Sequence, residues 1–75
     1  MAEFTQYRRK QIAELRPCDP ETDREMARAG ALSVSAEDQK AGSPKIGDMI
    51  ARNPKNHNDM WLVAAQYFAD NFEPA

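Results

Sequence analysis

His57 and Cys18 are the side chains of this 75-residue chain best suited to catalysis. A histidine acts as a general base when a second group orients it beside a substrate. His57 lies in a stretch of turn-forming residues, so we predict an exposed loop histidine. Cys18 is followed by Asp19, whose carboxylate is expected to raise the pKa of the thiol rather than activate it. One histidine and one cysteine far apart in sequence do not make a convincing nucleophile pair, and we predict that the protein is not an enzyme.

Alternating carboxylates at Asp19, Glu21, Asp23 and Glu25 offer oxygen ligands to a divalent cation. They lack the glycine and the twelve-residue spacing of a calcium loop, and a solvated helix face is the better interpretation. A single cysteine forms neither an intramolecular disulfide nor a cysteine-rich zinc site. We therefore predict no bound metal and no cofactor.

Basic side chains point to binding rather than to chemistry. Three of them are adjacent near the start of the chain, a fourth precedes a polar stretch at residues 53–59, and a fifth lies within that stretch. Such a stretch predicts a long hairpin loop, and loops of this kind often carry recognition. The alternative for the basic residues is a charged strand edge that discourages aggregation. The candidate partner-binding residues are Arg8, Arg9, Lys10, Arg52, Lys55, Asn56 and His57.

Composition limits the remaining possibilities. The formal net charge of -2 argues against a strongly basic nucleic-acid-binding protein. A mean hydropathy of -0.79 predicts a small core. No apolar run approaches the roughly 18 residues of a membrane-spanning helix, and the first residues lack the apolar stretch of a secretory signal. We expect one small domain over residues 1–75 in a reducing cytoplasm, with no membrane contact.

Turn and capping signals divide the first half of the chain. Residues 19–30 predict a helix that Asp19 caps, with Pro20 at its first position and Gly30 closing it, although its few apolar residues leave it little to bury. Residues 31–35 alternate like a short strand. Ser35 then caps a helix of one or two turns.

The second half predicts a β-hairpin and a helix. Residues 48–63 form the hairpin, with its long loop at 53–59, and residues 64–72 form the C-terminal helix. We predict that the aromatic side chains build the core, because a chain this small has few other large apolar residues. The residues concerned are Tyr7, Trp61, Tyr67, Phe68 and Phe72. Function would then depend on contacts made by the protein surface. Aromatic rings that line an open pocket around His57 would contradict this prediction.

Two sequence blocks resemble a group of small, uncharacterised proteins encoded by tailed bacteriophages and prophages. The blocks are YRRKQIAELRP at residues 7–17 and GSPKIGDMIARNPKNHNDMWLVAAQYFADNFEP at residues 42–74. More distant relatives continue the basic start with a strand-like Pro-Val-Val-Ile. The resemblance therefore implies a strand at residues 8–16, which the residues alone leave open between strand and helix. It also implies that residues 19–30 are a variable helical insertion.

These observations predict an α+β fold: a small antiparallel sheet of three or four short strands with the C-terminal helix packed on one face. Taken with the resemblance, they predict a phage-encoded, non-enzymatic accessory protein in the host bacterial cytoplasm that binds and modulates or inhibits a host macromolecule. The first alternative is a minor virion or assembly component. The second is a small nucleic-acid-binding module that uses the basic residues. Oligomeric state is left open.

Overall fold

The computed structural model describes residues 2–6 and 13–74. These residues contain one three-stranded antiparallel sheet and three helices. In chain order the elements are β1 (Glu14–Pro17), α1 (Pro20–Arg28), α2 (Ala36–Lys40), β2 (Met49–Asn53), β3 (Asn56–Val63) and α3 (Ala65–Asn71). The predicted α+β class, with its antiparallel sheet and C-terminal helix, is confirmed.

The strands follow one another in the order β1-β2-β3, with β2 in the centre. Ile50 lies opposite Arg16 on one side and Leu62 on the other. Because side chains alternate along a strand, Ile50 and Leu62 share one face while Trp61 and Val63 share the other. The strand expected at residues 8–16 is observed as β1 from Glu14 onward, and residues 7–12 lie outside the described part of the chain.

The predicted loop at residues 53–59 is wrong. Asn53 pairs directly with Asn56, so the hairpin turns within two residues, and β3 already begins at Asn56. The side chain of Asn53 accepts a hydrogen bond of 2.9 Å from the Lys55 backbone N–H, a local turn that asparagine favours. The polar residues that resemble a loop are thus the exposed half of a strand. The register shifts between Arg52 and Asn53, so β3 carries extra residues beside the turn.

Helix α1 confirms the predicted helix, but the hydrogen bond at its N-terminus differs from the predicted Asp19 cap. The Asp19 side chain makes no capping bond to the helix backbone. Instead the Asp23 carboxylate accepts a hydrogen bond of 2.8 Å from the Asp19 backbone N–H. Asp23 is fully buried, which corrects the prediction that the acidic residues form a solvated face. The shorter α2 has the predicted cap, with Ser35 Oγ accepting from the Asp38 N–H at 3.2 Å.

The strand predicted at residues 31–35 is reduced to a single bridge. Ser33 pairs in parallel with Trp61, donating its N–H to Met60 and accepting from the N–H of Leu62. Leu32 beside it is buried in the core. The alternating pattern thus reflects the burial of Leu32 in the core. The segment that carries Leu32 is irregular and lies along the edge of β3.

The core is aliphatic, which corrects the prediction of an aromatic core. Leu32, Ile50 and Leu62 form the buried cluster, and Met26 and Ala27 of α1 pack against it. Helix α1 therefore covers this face of the sheet, although the sequence indicates little for it to bury. Tyr67 is exposed, and the other described aromatic residues of the predicted core, Trp61, Phe68 and Phe72, are half-buried. Tyr7 lies outside the described residues.

Asp48 joins the start of α3 to the segment that leads into β2. Its carboxylate is buried and accepts hydrogen bonds from Ser43 Oγ at 2.6 Å, the Lys45 N–H at 3.1 Å and the Ala65 N–H at 3.2 Å. Gly47 before it has a φ of 100°, a conformation that favours glycine. These bonds position α3 although none of its residues is buried. Among the described residues, no helix has the length and apolar character needed to cross a membrane.

Candidate functional site

An open groove runs between β3, α2 and α3, with a volume of about 830 Å³. We call it the aromatic groove, because Trp61, Tyr67 and Phe72 line it. The other lining residues are Ala13, Ser35, Glu37, Asp38, Leu62, Val63, Ala64 and Asn71. It differs from a core cavity in its exposure, since 59% of the Tyr67 surface is accessible to solvent.

The end of β3 and the start of α3 together position the aromatic rings. Tyr67 and Asn71 are four residues apart in α3, so both project from the same side of the helix. The Asn71 side chain donates a hydrogen bond of 3.0 Å to the Tyr67 carbonyl. The Phe72 ring lies 6.2 Å from the Tyr67 ring and is stacked 5.7 Å from that of Phe68. The rings therefore support one another at the C-terminal end of α3 while staying open to solvent on one side.

Two acidic residues, Glu37 and Asp38, also line the aromatic groove, and we call them its acidic wall. Glu37 and Asp38 come from the first turn of α2, which the Ser35 cap holds in place. Within the described residues, neither carboxylate has a hydrogen-bonding or ionic partner. No lysine or arginine lines the groove in the part of the chain that the structure describes. The groove thus combines aromatic faces with two carboxylates that are unpaired within the described residues.

A second cavity, the charged cleft, has a volume of about 330 Å³ and brings together Glu14 and Arg16 of β1, Arg52 of β2 and His57 of β3. Glu14 of β1 faces Arg52 of β2, and the Arg52 Nε donates a hydrogen bond of 2.7 Å to Glu14 Oε1. His57 Nε2 of β3 lies 3.6 Å from the same oxygen. All three side chains are about half-exposed, so the pairs are screened by solvent and contribute little to stability.

The charged cleft contains part of the predicted partner-binding set. It gathers Arg52 and His57, whereas Lys55 lies in the hairpin turn and the Asn56 side chain accepts a bond from the Asn58 N–H. Arg8, Arg9 and Lys10 lie outside the described residues. His57 is exposed, as predicted, but it belongs to β3 rather than to a loop. It lines a different cavity from the aromatic rings.

A third cluster surrounds Asp23 under α1. The Arg16 guanidinium donates two hydrogen bonds to the Asp23 carboxylate, at 2.6 and 3.0 Å. Burial raises the pKa of Asp23, but the bonds from Arg16, the Asp19 N–H and the Cys18 thiol outweigh it, and the net pKa lies below its usual value. Hydrogen bonding to Asp23 raises the pKa of Arg16.

The same cluster makes Cys18 unreactive at neutral pH. Burial, followed by its hydrogen bond to Asp23 and the negative charge of that residue, raises the pKa of the thiol to about 11. The predicted direction is confirmed, but the carboxylate responsible is Asp23 rather than the adjacent Asp19. A thiol that is protonated at neutral pH is a poor nucleophile. The role of the cluster is structural, because the hydrogen bonds from Arg16 to Asp23 attach α1 to the sheet.

Sequence reasoning missed the acidic wall and both buried aspartates. The signal for the wall was present, since the Ser35 cap predicts a helix with Glu37 and Asp38 in its first turn. Nothing in the sequence distinguishes Asp23 from its neighbours Glu21 and Glu25. Over residues 2–6 and 13–74, no group of three or more histidine, cysteine, aspartate or glutamate side chains is arranged to hold a metal ion.

Comparison of the chain with protein-family profiles, with curated proteins and with solved structures found no match in any of the three.

Proposed function

We propose that this protein is a phage-encoded, non-enzymatic accessory protein that binds a host macromolecule in the bacterial cytoplasm and modulates or inhibits it by surface contact. One observation carries the proposal: Trp61, Tyr67 and Phe72 line an open groove instead of filling the core. The phage origin rests on the sequence resemblance, and the mode of action rests on this groove.

Partially exposed aromatic residues are unusual in a chain with so little apolar surface to spare. Trp and Tyr are enriched at the hot spots of protein interfaces, where a rigid ring buries a large area at small entropic cost. A typical interface buries about 800 Å² on each partner. That is about one eighth of the accessible surface of 6445 Å². The aromatic groove would form the centre of such a contact, which needs no deep active site.

A protein partner fits the aromatic groove better than a nucleic acid does. Glu37 and Asp38 would repel phosphates, and no basic side chain among the described residues lines the groove. In the charged cleft, Arg52 is already paired with Glu14. The basic residues Arg8, Arg9 and Lys10 remain candidates for a second contact on the same partner.

The proposal is tested by affinity purification of the tagged protein from host cells, followed by mass spectrometry. We expect one host protein to be enriched with the wild type and reduced at least about tenfold with the double variant Tyr67→Ala/Phe72→Ala. Ile46→Ala is the matched control, because Ile46 is 85% exposed and does not line the groove. His57→Ala and Cys18→Ala are expected to retain the partner.

Three outcomes would contradict the proposal. Recovery of capsid or tail proteins alone would identify a virion or assembly component. Capture of nucleic acid that weakens steeply with salt would identify a nucleic-acid-binding module. Loss of the effect on the host partner in His57→Ala, with the partner still captured and the fold unchanged, would indicate catalysis.

A further inference from the structure

We infer that the aromatic groove binds an arginine-bearing basic segment of a partner protein, with the guanidinium held between the acidic wall and the aromatic rings. The inference rests on the proposed function and names the chemistry of the partner. Three properties of the groove lead to it: its charge, its aromatic faces and its apolar floor.

The charge of the groove favours a cation. Within residues 2–6 and 13–74, Glu37 and Asp38 have no partner, so a bound cation would displace no ion pair formed by these residues. The chain from residue 57 to residue 75, which forms β3 and α3, contains acidic residues but no lysine or arginine. An approaching basic segment therefore meets the negative charge of Glu37 and Asp38 and no opposing lysine or arginine from β3 or α3.

The aromatic faces favour arginine over lysine. A guanidinium is planar, stacks on the faces of Trp and Tyr, and donates paired hydrogen bonds to carboxylates. Trp61 and Tyr67 provide the faces, and Glu37 and Asp38 provide the acceptors. Lysine has a compact, strongly hydrated ammonium group that offers only a point charge.

The floor of the groove accommodates the aliphatic part of the side chain. The floor is formed by Ala64 and by Val63, which lies on the same face of β3 as Trp61. Arginine buries its methylene groups on apolar surfaces of this kind while its charged end reaches polar partners. The charged cleft offers no comparable selection, because Glu14 there is already paired with Arg52 at 2.7 Å.

Trp61 is the only tryptophan and lines the groove, so its fluorescence reports occupancy directly. The probe is a capped nonapeptide of alternating arginine and alanine, with versions in which lysine or glutamate replaces arginine. We expect the arginine peptide to change Trp61 emission saturably and the lysine peptide to bind about fivefold more weakly. We expect no change with the glutamate peptide. Equal affinity for the arginine and lysine peptides, or a response to the glutamate peptide, would overturn the inference.

Charge-matched variants distinguish the groove from general attraction. Glu37→Gln/Asp38→Asn is expected to weaken binding of the arginine peptide about tenfold. The Ser35 cap is kept, because it uses the backbone N–H of Asp38. Glu21→Gln/Glu25→Gln removes the same charge from the exposed surface of α1 and is expected to leave the affinity unchanged. Equal weakening in both variants would show nonspecific attraction and overturn the inference.

Two further outcomes would assign the groove to an occupant other than a partner protein. A dimer in light scattering that dissociates when Arg8, Arg9 and Lys10 are replaced by glutamine would assign the groove to a second copy. A monomer whose peptide affinity rises on the same replacement would assign it to the chain's own basic segment. Either result overturns the inference.

If Tyr67→Ala/Phe72→Ala loses the host partner while Glu37→Gln/Asp38→Asn keeps it, the inference fails and the proposed function stands. If the wild type captures no host partner, the proposed function fails, whatever the peptides do.

Discussion

Trp61 and Leu62 are neighbours in β3, yet they belong to regions of opposite character. Leu62 points to the face covered by α1, where it packs with Ile50 and Leu32 in a core that solvent barely reaches. Trp61 points to the other face and lines a groove with Tyr67, which is 59% exposed. The larger side chains thus lie in the more open region. The α1 side of the sheet carries the buried cluster of Leu32, Ile50 and Leu62, whereas the groove side combines buried Val63 with partly exposed aromatic rings.

The two regions also differ in the hydrogen bonds that hold their helices in place. On the core side, Arg16 and the Asp19 backbone hold the buried Asp23 carboxylate and so attach α1 to the sheet. On the groove side, α3 has no buried residue and is attached at its first residue by the buried Asp48. The groove therefore rests on a firmly anchored helix start and a more exposed helix end.

Truncation of the core is expected to have the largest effect on stability. Ile50→Ala removes a side chain that is 1% exposed, and should lower the free energy of unfolding by about 2–5 kcal/mol. Urea denaturation followed by circular dichroism measures this change. A loss under about 1 kcal/mol would mean that the aliphatic cluster does not dominate stability, and the contrast between the two regions would disappear.

Removal of the buried charge under α1 is expected to have an intermediate effect. Asp23→Asn should cost about 1.5–3 kcal/mol at pH 7, because the carboxylate accepts charged hydrogen bonds from Arg16. The pKa of Asp23 is lowered in the folded protein, so its contribution is complete above the unfolded pKa of about 4 and is lost as the pH falls through the lower folded pKa. The difference between wild type and variant should shrink in acid. A difference independent of pH would contradict the role of the charge.

Truncation in the aromatic groove is expected to have the smallest effect on stability. Tyr67→Ala should change the free energy of unfolding by less than about 0.5 kcal/mol, because the ring is mostly exposed and α3 buries no residue. The same urea experiment measures it beside Ile50→Ala. A loss comparable to that of the core variant would place Tyr67 in the stabilising region and remove the basis for a binding groove.

Local signals predicted the elements whose boundaries depend on nearby residues. Pro20 marks the start of α1, Ser35 caps α2, and the aromatic spacing before Phe72 predicts α3. The hairpin was predicted, but its loop was wrong, because asparagine and aspartate favour turns and also occupy exposed strands. The tight turn at residues 54–55 depends on a pairing of Asn53 with Asn56 that propensity does not reveal.

The candidate site was less predictable than the fold. Arg52 and His57 were predicted as contact residues, and the structure brings both to Glu14, which was not singled out. The aromatic residues were assigned to the core because hydrophobic size alone favours burial. Their place in a groove depends on α1, whose Met26 and Ala27 cover the opposite face with small and flexible side chains.

Composition and local pattern by themselves determined the α+β class, the positions of the helices and the hairpin, and the net charge, because these depend on residues close together in the chain. Tertiary structure alone decided which face of the sheet is covered. It also decided that Asp23 and Asp48 are buried, and that the acidic start of α2 lies across a groove from Trp61 and Tyr67. The physical reason is that burial and electrostatic environment are set by contacts between residues far apart in sequence, and no local propensity records them.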